Sequence, residues 1–206
     1  VTCAKRCAKR DVLAFVMASR DFIERRRREQ LAFRAKYPRL RFLSGEKILY
    51  LGRELNLEVV WTWRSTIQVK MCENVLELQA PVKASEAERT QAVFDFYRET
   101  GREFLSTRLS HWAEVTSLKP KSLSIRGQNS RWGSCTSAGA INLNWKLMAA
   151  PLSVIDYVLV HELAHLEHLN HSIRFWRLVG HWIPNYRDLR LLLKSLEPRI
   201  AVQFEG

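Results

Sequence analysis

The period of the apolar positions changes several times along the chain. Over residues 11–36, Val12, Leu13, Phe15, Val16, Phe22, Ile23 and Leu31 form a helical stripe, which Pro38 ends. Residues 47–78 switch to a period of two. Leu55, Leu57, Val59 and Trp61 alternate with polar neighbours, TIQVKM alternates again, VLELQ closes the set, and Glu73-Asn74 supplies a hairpin turn. A small β-meander is expected there. Pro81 and Ser85 mark a return to helical spacing over 86–112, with Val93, Phe94, Tyr97, Phe104, Leu105, Leu109 and Trp112 inward and Gly101 at a point of close packing.

After Pro120, SLSIR reads as a strand with Leu123 and Ile125 inward. In GAINLNW, Ile141, Leu143 and Trp145 alternate with Asn142 and Asn144, giving a second strand. The stretch from Ser153 to Trp176, SVIDYVLVHELAHLEHLNHSIRFW, opens on a helix made apolar by Val154, Ile155, Val158, Leu159 and Val160. Ser153 followed by Asp156 resembles a capping box at its start. A short helix with Phe175, Trp176, Val179 and Trp182 on its buried face follows, and Pro184 opens a terminal helix to about residue 196. The fold class is α+β. Residues 1–80 hold the N-terminal helix and β-meander, and residues 81–206 form the core, the two making one compact unit.

Composition narrows the class. Of 206 residues, 47% are hydrophobic and 26% charged, ordinary for a globular protein. No apolar run approaches the roughly 18 residues of a membrane span. The opening VTCAKRCAKR, followed by a short interrupted apolar stretch, is no signal peptide, so a cytoplasmic location is expected. The chain begins on Val1, as a trimmed or tagged chain would. Cys3, Cys7, Cys72 and Cys135 are too few and scattered for a disulfide framework. Cys3 and Cys7 read as free thiols and Cys135 as a packed one.

The formal charge of +12 favours polyanions. Arg25, Arg26, Arg27 and Arg28 are the densest basic run, but on a helix they surround it, which is the pattern of a solvated segment; a nucleic-acid footprint is the competing reading. Trp61 and Trp63 fit either packing or base stacking.

The chemistry lies in His161-Glu162-Leu163-Ala164-His165. Two histidines four apart lie on one helical face, roughly 6 Å apart along the axis, so both can reach one cation. A catalytic Zn²⁺ takes three protein ligands and keeps a fourth position for water, and Glu162 is placed to take a proton from that water. For the third ligand, His171 lies ten residues after His161, the offset found in HExxHxxGxxH zinc proteases, although His168 stands where their glycine would be. Asn170 in a left-handed conformation and Ser172 as the next helix cap would present His171. His168 is the competitor, yet three ligands on one straight helix would be strung along its axis. His111 and His181 have no ligand spacing.

RGQNSRWGSC, GAINLNWKLMAAP and VIDYVLVHELAHLEHLNHSIRFW, between Arg126 and Trp176, together resemble the YgjP-like metallopeptidase family, related to SprT and Wss-type zinc proteases. The resemblance implies a zincin-like core with an HExxH active-site helix. It implies His161, His165 and His171 as zinc ligands and Glu162 as catalytic acid/base. It also makes Arg131 to Cys135 a family motif and Tyr186 a family position, so that Arg131 or Tyr186 would stabilise negative charge on a substrate oxygen. The strand of Asn142 and Asn144 takes the place that borders the cleft and pairs with extended peptide in zincins. Peptide-bond hydrolysis is the first expectation. Nucleoside triphosphate pyrophosphatase activity is the alternative, and a nucleic-acid-associated protein or protease the third; oligomeric state is left open.

Overall fold

The structure, a computed structural model, describes residues 8–128 and 131–205. The expected free thiols Cys3 and Cys7 lie outside the described residues, as do Asn129 and Ser130 of the motif-bearing loop. The chain divides into two compact units at Arg39 and Leu40. The first holds α1 (Lys9–Ala18) and α2 (Arg20–Lys36), in place of one continuous helix. They are separated at Ser19, whose non-helical φ/ψ of −95°/8° breaks the run. Neither helix has a buried residue, so the apolar stripe there packs on no core among the described residues of the unit.

The second unit begins with β1 (Lys47–Tyr50), β2 (Arg53–Thr62), β3 (Gln68–Cys72) and β4 (Val75–Pro81). A meander is not what forms. The order is β1-β2-β4-β3, with β2 and β4 parallel and β3 joined to β4 through the Glu73-Asn74 hairpin, where Glu73 has φ 50°. Burial explains the swap. Leu76, Leu78 and Ala80 of β4 are fully buried, which suits a central strand, whereas Lys70, Met71 and Cys72 leave β3 exposed at the edge.

Ser85 begins α3 (Glu86–Thr116) with a complete capping box: its hydroxyl accepts from the Glu88 amide, and the Glu88 carboxylate accepts from the Ser85 amide at 2.7 Å. The helix outruns the expected end at Trp112 and stops at Ser117, φ 60°. Gly101 allows close packing, since a Cβ there would lie 3.0 Å from Met148. The inward residues of β1, β2 and β4 share one core with α3 and the C-terminal elements.

A second sheet contains β5 (Ser122–Arg126), β6 (Gly133–Cys135) and β7 (Ala140–Asn144) in the order β5-β7-β6. β7 runs into a 3-10 turn, Trp145–Ala149, and then α4 (Leu152–Ala164), α5 (Ile173–Trp182) and α6 (Tyr186–Gln203) follow. The Ser153–Asp156 box does not form: Pro151 occupies the cap position of α4 without a side-chain cap, and Asp156 faces α3 instead. α6 continues through Pro198 because its end is anchored. Gln203 bonds the backbone of Leu49 in both directions, and Phe204 packs edge-on against Phe94, Tyr97 and Trp145. No described helix is long and apolar enough to cross a membrane.

Candidate active site

α4 delivers His161 and Glu162 in its last turn and ends at His165, whose Nδ1 lies 2.9 Å from the His168 carbonyl oxygen. That contact holds the ring with its other nitrogen inward. Asn170 does not adopt the left-handed conformation expected of it. The chain turns back through residues 166–171, and Ser172 caps α5 by accepting from the Phe175 amide. His171 thereby returns over His161, with the two Nε2 atoms 3.1 Å apart. One ligand atom from each of His161, His165 and His171 lies within 4.8 Å of the others. The backbone of His168, not its ring, supports the group. His111 and His181 are outside it.

Phe175, fully buried, is the floor of this cluster, with ring centroids 4.9, 4.5 and 4.8 Å from those of His161, His165 and His171. Trp176 stacks on His171, and Tyr186 stacks on Trp176 at 5.1 Å and 14°. Gly180 gives Tyr186 its room, a Cβ there being 3.3 Å from the ring. The Tyr186 hydroxyl accepts a hydrogen bond from Arg187.

Two of these closely packed rings, His161 and His171, resist protonation. Burial pulls His161 down to about 3, reinforced by His165, His171 and Arg190, and burial likewise lowers His171. The Nδ1 of His161 has no hydrogen-bond partner among the described residues. Two imidazole nitrogens facing each other at 3.1 Å must share a proton or a cation, and neutral, lone-pair-bearing rings are what a zinc ion requires. The donor set fits such an ion.

Glu162 is 5% exposed, and burial pushes its carboxyl up to about 8, opposed by the positive charge of Arg131. Its Oε2 is buried and has no hydrogen-bond partner among the described residues. β6 passes directly over it: a Cβ on Gly133 would sit 2.6 Å from Oε1, so any larger residue there must displace the Glu162 side chain. Arg131 is exposed at the start of this crossing.

β7 does not offer the edge expected of it. β5 and β6 occupy its two sides, and the outer edge of the small sheet nearest Glu162 belongs to β6. Asn144 is 3% exposed; its amide donates to the carbonyls of Gln128 and Arg131, and its oxygen accepts from Lys146, so it ties the loop down. Asn142 donates to Ser134 at 3.4 Å within the sheet. Tyr157, Trp132, Gly133 and Arg190 also border the site. Tyr157 had a legible signal, being one helical turn before His161. Arg190 had none, because only packing brings α6 to Trp176, where its guanidinium lies 5.4 Å from the ring centroid.

Three convergent imidazoles beside a buried carboxylate, on an α+β scaffold, are the arrangement of a metallopeptidase domain. The family described as YgjP-like, metallopeptidase domain, matches residues 1–196. The chain belongs to this YgjP-like metallopeptidase family. It is also similar to the crystal structure of the metallopeptidase zymogen of Pyrococcus abyssi abylysin, at 24% identity and a TM-score of 0.40, over 44% of this chain and 93% of that one. No curated protein matches the chain.

Proposed function

We propose that the chain is a zinc-dependent peptidase whose ion is held by His161, His165 and His171. The convergence of the three rings beside the buried, unpartnered oxygen of Glu162 carries the reading. Zinc, when bound, supplies Lewis-acid chemistry: it polarises a carbonyl and makes a water more acidic. Glu162 takes the proton of the attacking water and passes it to the departing amine. Its raised proton affinity suits both halves of that task. Arg131, whose charge already acts on Glu162, offsets negative charge developing on the substrate oxygen, with the Tyr186 hydroxyl as the other donor. An extended peptide adds to the outer edge of β6, where backbone pairing makes few demands on sequence.

The test is zinc content by elemental analysis together with peptide turnover, on wild type and Glu162→Gln. One zinc per chain in both, with turnover in the wild type alone, is the expected result. A zinc-loaded Glu162→Gln variant with full turnover overturns the assignment. Release of pyrophosphate from nucleotides in place of peptide cleavage, lost in the same variant, would replace the substrate class.

A further inference from the structure

A cavity of about 200 Å³ opens directly beside His161 and Glu162. Its remaining walls are Trp132, Gly133, Tyr157, Val158 and Leu193. Tyr157 and Val158 lie on α4 one turn before the His161-Glu162 pair, so the cavity continues the helical face that carries the chemistry. Leu193 closes it from α6. The same helix fixes the opposite wall, since the Trp132 indole donates to Glu197 at 2.9 Å. Apart from His161 and Glu162, no charged side chain among the described residues lines the space.

Size selects the occupant. Sites that engulf drug-sized ligands are typically about 300–1,000 Å³, so this cavity suits one side chain and not a nucleoside. Apolar walls favour an apolar side chain, and a hydrophobic pocket of fixed size separates neighbouring side chains by about tenfold or more in kcat/KM.

We propose that this cavity is a specificity pocket that receives a mid-sized apolar side chain, leucine, methionine or phenylalanine, from a residue flanking the scissile bond. The proposal rests on the peptidase reading above. A peptide paired to the outer edge of β6 passes Glu162, which packs against Gly133, and turns one side chain into the pocket. Leu193 sets the depth.

The experiment is cleavage of a mixed-sequence peptide library by the zinc-reconstituted protein, with cut sites mapped by mass spectrometry, for wild type, Leu193→Ala and Leu193→Phe. Wild type should favour leucine, methionine or phenylalanine over glycine at one flanking position by about tenfold or more. Leu193→Ala should move the preference to larger aromatic residues, and Leu193→Phe should cut the leucine preference while cleavage beside glycine or alanine persists. A second readout needs no turnover. In the zinc-free protein, N-acetyl-leucinamide should shift the Trp132 indole N–H signal in nitrogen-15 NMR, and N-acetyl-glycinamide should not. Unselective cleavage, or a preference identical in all three proteins, overturns the pocket and leaves the peptidase reading standing. Absence of any cleavage by the wild type overturns both.

Discussion

α4 carries two buried carboxylates, six residues apart, that the fold treats in opposite ways. Asp156, 8% exposed, accepts from Arg108 Nε at 2.6 Å, Arg108 Nη2 at 2.7 Å and the Trp112 indole at 2.8 Å. Glu162, 5% exposed, has one oxygen without a partner among the described residues and the backbone of Gly133 against the other. The first is a paired charge that fastens α4 to α3. The second is held in the interior by shifting towards its neutral form. A buried polar group without partners destabilises a fold, so a carboxylate oxygen with no partner among the described residues, beside His161 whose Nδ1 is likewise unpartnered among them, marks the candidate site and not a fastening of the fold.

Four changes would break or sharpen this contrast. The largest effect is expected from Glu162→Gln, which should lower turnover by about 10²–10⁴-fold with zinc retained, measured by peptide cleavage and elemental analysis. A variant within tenfold of wild type would make Glu162 merely another buried acid. Asp156→Ala should lower stability by about 3 kcal/mol, the low end for breaking a buried ion pair because Arg108 keeps some contact with water. Urea denaturation reads it, and turnover per folded, zinc-loaded molecule should change little. Gly133→Ala should displace the Glu162 carboxylate and cost roughly 10²-fold in kcat while zinc content and the far-ultraviolet circular dichroism stay as in wild type.

The smallest effect is a pH dependence in the zinc-free protein. The carboxyl of Glu162 is raised to about 8 in the fold, so its contribution is fully present below its ordinary value near 4.5 and is lost as pH rises through 8. His161, lowered to about 3, works oppositely: the unfolded chain takes its proton first as pH falls below 6.5, so stability drops on the acid side. Between pH 4.5 and 6.5 the two slopes, each at most about 1.4 kcal/mol per pH unit, oppose each other in wild type. Glu162→Gln removes one of them. Its zinc-free form should therefore gain on wild type by about 1 kcal/mol or more between pH 5 and pH 8.5, measured by urea midpoints with chelator present. A constant difference would mean that Glu162 is ionised in the fold.

Much of the local structure was legible because it depends on neighbours in sequence. The alternation in β2, β4 and β7, the helix start marked by Ser85, the Ser172 cap, the hairpin at Glu73 and the close approach at Gly101 all appear where the residue pattern calls for them. The triad was legible for the same reason: four-residue spacing aligns His161 with His165, and the capped turn returns His171. What failed depended on partners far along the chain. Asp156 near a helix start looked like a cap until Arg108 and Trp112 claimed it, and Asn144 looked like a strand residue open to substrate until the loop before β6 folded onto it.

By itself, then, the sequence determined most of the secondary elements, though neither β6 nor the break at Ser19, together with the three converging histidines, the adjacent acid and the family, because helical and strand periods place residues a few positions apart with little freedom. Tertiary structure alone decided that β4 would lie between β2 and β3, that β6 and not β7 would border Glu162, and that α6 would bring Leu193 and Arg190 to the site. The physical reason is that strand order and helix docking are settled by which apolar faces bury best together, a property of the whole core that no local pattern contains.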